Sequence, residues 1–169
     1  MQKMSLRGDV WSAACLARDG QKPVDYPEGV KSKFVMAGVA AIGFLFAQDP
    51  TASVWDGVYS KAEADRGRTA YASACGSCHG DQLTGGEIAP ALAGGDFLSN
   101  WNGLTVGQLF DRTRTGMPPG NPASVTRDTK VDIIAYILSY NKFPAGEKDL
   151  PSQTAMLNTI RIDAEKPAK

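Results

Sequence analysis

The sequence predicts an all-α domain with little or no β-structure. Three observations point there. Helical periodicity is confined to three segments between residues 62 and 141, and no stretch alternates apolar and polar residues as a half-buried strand would. The third is Cys75-Gly-Ser-Cys78-His79, which has the C-x-x-C-H spacing of a covalent c-type haem attachment site. A ring held at that site gives three helices something to wrap around.

Taken in chain order, residues 1–29 are polar, of mixed charge and without periodicity. They read as a doubtful extension, with translation expected to begin at Val30 on a GTG codon. Residues 30–47 read as a secretory signal peptide: Lys31-Ser-Lys33, the 13-residue apolar run Phe34 to Phe46, then the small residue Ala47. Export to the periplasm follows, with the segment cleaved or retained as an N-terminal anchor. No run of about 20 apolar residues exists, so the mature form is expected to have no stable membrane span. Past Ala47 the chain has 12 Lys and Arg against 14 Asp and Glu, a net charge of about −2. With no polybasic run, nucleic acid is not an expected partner.

Residues 48–61 read as a linker, interrupted by Pro50 and Gly57. Ala62 to Ala74 follows Ser60 and is rich in Ala, Arg and Glu, a helix with Gly67 and Tyr71 on one face. The haem motif comes next. Two thiols three positions apart on a turn reach the two vinyl groups of one haem, and the adjacent histidine reaches the iron from the same side. His79 is the only histidine in the chain, so any site needing two is excluded. Thioredoxin-like use of a C-x-x-C would need a βαβ context. A structural zinc would need four ligands, and Cys75, Cys78 and His79 supply three.

Gly80 to Gly95 is a glycine-rich loop containing Pro90. Leu104 to Thr115 is an amphipathic helix with Val106, Leu109 and Phe110 on its apolar face, ended by Gly116 and Pro118-Pro119. Asp128 to Asn141 is the third helix, carrying Val131, Ile133, Ile134, Ile137 and Leu138. The domain spans 62–145, and residues 146–169 form a polar tail with a short helix near Ala155 to Ile160. A helical core of about 80 residues is marginal unless stapled, and a covalent haem is such a staple.

The second face of the iron takes a methionine, a lysine, water or nothing. Met1, Met4 and Met36 precede the domain and Met156 lies in the tail, whereas Met117 sits in a proline-braced loop 38 residues after His79. On composition alone, a gap-filling core methionine is an equal reading of Met117.

These residues together resemble a class I c-type cytochrome from about Ala62 to Phe143. Gly67 and Tyr71 are similar to the family's amino-terminal helix motif, and Ile134-Ala135-Tyr136-Ile137 to its carboxy-terminal partner. Pro90-Ala-Leu92-Ala-Gly94 resembles the P-x-L-x-G loop, and Gly116-Met117-Pro118 the methionine loop. The resemblance implies the cytochrome c fold and one haem c, covalent through Cys75 and Cys78, with His79 and Met117 as axial ligands. It implies that the Pro90 carbonyl accepts a hydrogen bond from His79, and it places Trp101 near the haem propionates. The implied activity is one-electron transport rather than enzymatic turnover. Implied partners are redox proteins: a dehydrogenase donor, and an oxidase or another cytochrome as acceptor. Trp101 to Phe110 is similar to cytochromes that serve periplasmic quinoprotein dehydrogenases, so a dedicated dehydrogenase subunit is one alternative. A haem peroxidase, or a ligand sensor with displaceable Met117, are others; the first lacks a distal acid–base histidine.

Overall fold

A computed structural model describes residues 50–168. Residues 1–29 and the signal segment 30–47, with Cys15, Met1, Met4 and Met36, lie outside the described residues. The order of elements is β1 (Ala52–Ser53), α1 (Lys61–Ala74), α2 (Gly76–His79), α3 (Gly94–Trp101), α4 (Val106–Gly116), α5 (Arg127–Tyr140), α6 (Thr154–Leu157) and β2 (Ile160–Arg161). The fold is all-α, the cytochrome c fold, with one two-residue strand pair. No helix among the described residues is long and apolar enough to cross a membrane.

Each long helix starts where its sequence supplies a cap. The Ser60 hydroxyl accepts from the Glu63 amide at 3.0 Å and opens α1. Thr105 opens α4 through a reciprocal box with Gln108, at 3.2 and 2.8 Å. Thr126 accepts from the Thr129 amide at 3.2 Å and opens α5. Such caps satisfy amides that have no partner within the helix.

Helices α1 and α5 form the main packing pair. Gly67 permits it: a methyl there would overlap the Asp132 carbonyl and come within 3.0 Å of the Tyr136 Cβ. One helical turn along, the Tyr71 and Tyr136 rings sit 5.4 Å apart. Outside this contact Arg66 bridges Asp132 and Asp149, both at 2.8 Å. Helix α5 buries Val131, Ile133, Ile134, Ala135, Ile137 and Leu138, so it is apolar nearly all round and forms the centre of the core.

Three features depart from the sequence expectation. Helix α3 starts at Gly94, at the end of the expected glycine-rich loop Gly80 to Gly95, and runs through residues where no helix was expected. Its cap is not local: the Asn141 side chain accepts from the Gly94 amide at 2.9 Å and donates to the Leu92 carbonyl at 3.0 Å. The described part of the expected linker packs instead of spanning. Val54 and Tyr59 are buried, Tyr59 donates to the Phe143 carbonyl at 2.6 Å, and Trp55 donates to the Asp163 carbonyl at 2.9 Å. The tail packs as well, burying Leu150, Leu157, Ile160 and Ile162, and β2 lies parallel to β1 with Ala52 opposite Ile160. The amino- and carboxy-terminal flanks thus close on each other across one side of the helices.

Candidate haem site

The two thiols and the imidazole share one turn. Cys75 ends α1 and starts α2, and its carbonyl accepts from the amides of Cys78 at 3.1 Å and His79 at 3.0 Å. Both cysteines are free, Cys75 half-buried and Cys78 exposed. His79 closes the turn and is 7% exposed. Beyond it the chain leaves through Gly80, whose positive φ of 77° suits a residue without Cβ. The Tyr71 hydroxyl donates to the Gly80 carbonyl at 2.7 Å and ties this exit back to α1.

The glycine-rich loop then folds under the imidazole. Gly85 takes a φ of 72°, and a Cβ there would sit 2.5 Å from the Ala91 amide nitrogen. That close approach, with Gly85 donating to the His79 carbonyl at 2.9 Å, brings Pro90 beneath the ring. His79 Nδ1 lies 2.9 Å from the Pro90 carbonyl oxygen. A carbonyl only accepts, so Nδ1 carries the proton and Nε2 keeps its lone pair. The imidazole is held in the tautomer and orientation that a metal ligand needs.

The donor set fits a haem better than its rivals. Burial pushes the Cys75 thiol up, with Lys130 pulling the other way. Thiol–disulfide enzymes instead depress their attacking cysteine. Among the described residues, no group of three or more His, Cys, Asp or Glu side chains is placed to hold a metal ion.

Residues 62–137, from α1 through most of α5, match the model of the family described as cytochrome c oxidase, cbb3-type, subunit III. This domain is a class I c-type cytochrome. No curated protein and no solved structure matches the chain.

The remaining candidate residues of the cytochrome sit on other elements. Met117 follows α4 directly, half-buried, its amide donating to the Thr113 carbonyl at 3.0 Å. Trp101 ends α3, half-buried, its ring 6.3 Å from that of Phe97. Of the candidate set, His79 and Pro90 are joined by a direct hydrogen bond, while Met117 and Trp101 each stand at a helix end. Two supporting residues escape sequence reasoning. Tyr71 was legible as a packing residue, but nothing local announces its bond to Gly80. Asn141 was legible only as the end of a helix, 47 positions from the Gly94 amide it caps.

Proposed function

We propose that the protein is a periplasmic one-electron carrier using a single haem c, attached through Cys75 and Cys78 and ligated by His79 and Met117. The observation that carries this is the His79–Pro90 hydrogen bond at 2.9 Å, on the same turn as two free thiols. The haem supplies the Fe(III)/Fe(II) couple, and the protein supplies position, potential and insulation.

Each residue has a separate task. Cys75 and Cys78 tether the ring to the turn between α1 and the loop. Pro90 fixes His79 so that Nε2 faces the metal. Met117 offers a neutral sulfur, which favours the reduced metal and raises the potential. Leu92, Leu98 and Trp101 are partly buried against the hydrophobic core. Exposed Cys78 marks the opposite edge, where a partner would dock. Contacts of this kind are small, below about 1,200 Å². A dehydrogenase is the proposed donor, and an oxidase or a second cytochrome the acceptor.

Spectroelectrochemical titration of the haem-loaded protein tests this. A single reversible one-electron wave with an unchanged low-spin spectrum type in both states is expected. Rapid peroxide turnover, or ready binding of CO by the ferrous protein at neutral pH, would overturn it in favour of an open iron site.

A further inference from the structure

Lys130 is 3% exposed, in the first turn of α5, and no step above uses it. A buried ammonium is costly unless its donors are satisfied. Here two of its three N–H groups are taken by backbone carbonyls: Pro122 at 2.6 Å and Arg114 at 3.3 Å. The two acceptors flank Met117, one on the last turn of α4 and one on the far side of the loop.

The Arg114 carbonyl has a specific need for this donor. In a continuing helix it would accept from the residue four positions on, which is Pro118 and has no N–H. Its neighbour, the Thr113 carbonyl, is taken by the Met117 amide. Lys130 therefore completes the carboxy-terminal end of α4, where a positive charge is also favoured by the helix dipole. The second bond ties the returning chain at Pro122 to the same nitrogen. One side chain spans the loop from residue 114 to residue 122.

We propose, on the footing of the Met117 ligation above, that Lys130 is a positioning residue that clamps the methionine loop and holds the Met117 sulfur at the iron. Of the seven residues from Gly116 to Pro122, three are prolines and two are glycines, none of whose side chains can hydrogen-bond; Asn121 alone carries a polar side chain.

The test uses the haem-loaded full chain and reads affinity for added imidazole and reduction potential. Lys130→Met removes both hydrogen bonds and the charge while keeping an unbranched apolar stem. Lys130→Arg keeps charge and donors. Met117→Ala is the comparator for complete loss of the sulfur. Lys130→Met should raise imidazole affinity at least about tenfold, the effect of losing a hydrogen bond from a charged donor, and should lower the potential. Covalent haem content and helical circular dichroism should stay as in the parent, and Lys130→Arg should restore both readouts. Parent-like affinity and potential in Lys130→Met, with Met117→Ala shifted, would overturn the clamp and leave the ligation standing. Parent-like values in Met117→Ala would overturn the ligation, and the clamp with it. If Lys130→Met yields no haem-loaded protein, Lys130→Leu, which likewise lacks donors and charge, carries the same comparison with the same outcomes.

Discussion

At the scale of single residues, the chemistry depends on which atoms are left unpaired and which are not. His79 spends Nδ1 on Pro90 and keeps Nε2. Met117 has a thioether, which cannot donate and accepts weakly, and its proposed role is ligation. Replacing Met117 by Ala should therefore lower the reduction potential and admit water or imidazole at the metal, checked by potentiometry and by the spectrum of the ferric protein. Glu63 shows the same logic without a metal. It is 1% exposed, accepts from the Leu150 amide at 2.9 Å, and is pushed up to about 7 by burial. Asp149 and Asp132 push the same way, and Arg66 and the Leu150 amide oppose. The folded chain thus holds this proton more tightly than the unfolded chain, whose Glu titrates near 4.5. Stability from this group is full below about 4.5 and is lost as pH rises through about 7. Denaturant midpoints measured across that window should fall with pH in the parent, and the Glu63→Gln variant should flatten the slope. Neither buried Glu63 nor buried Lys130 was legible in the sequence, because charged residues on amphipathic helices are normally solvated.

At the scale of elements, α1, α4 and α5 were legible because each carries its own start signal and its own periodicity. Ser60, Thr105 and Thr126 cap helices that begin within two residues of the expected positions. Helix α3 was not legible: Gly94-Gly95 and Ser99-Asn100 are poor helix formers, and its cap comes from α5. Element packing gives a sharp prediction at Gly67. Alanine there gains about 1 kcal/mol in helix propensity over glycine. It also places a methyl against the Asp132 carbonyl, forcing α1 and α5 apart. Overpacking costs about 1–3 kcal/mol, so Gly67→Ala should be net destabilising in urea unfolding despite its propensity. A stabilised variant would mean that the two helices do not approach this closely.

At the scale of the whole molecule, the flanks matter more than their composition suggested. Residues 50–60 and 146–168 read as linker and tail because Pro50 and Gly57 interrupt any pattern in the first and the second is mostly polar. Their partners lie across the chain: Tyr59 bonds to Phe143, Trp55 to Asp163, and Ala52 pairs with Ile160. Each such contact joins residues 84 to 108 positions apart, beyond the reach of any local pattern. Removing residues 150–169 would expose the surfaces that Leu157, Ile160 and Ile162 cover. Buried side chains of this size are worth about 1.5–3 kcal/mol each. That loss is a large part of a typical domain's stability, so the truncated protein should melt at least about 10 °C lower than the parent. An unchanged melting temperature would return these segments to the role of loose ends. That two thiols and an imidazole share one turn, in contrast, was legible, since C-x-x-C-H places all three groups within five residues.

The central claim is that Cys75, Cys78 and His79 hold one covalent haem, and one measurement reaches it directly. The full chain is exported alongside c-haem maturation machinery, extracted with acid–acetone, and read by visible absorption in alkaline pyridine. The account predicts a c-type haemochrome that stays with the polypeptide at one haem per chain, and that is lost when Cys75 and Cys78 are both replaced by serine. Haem that extracts into the solvent, or a chain that acquires none, would contradict it and return the two thiols to other chemistry.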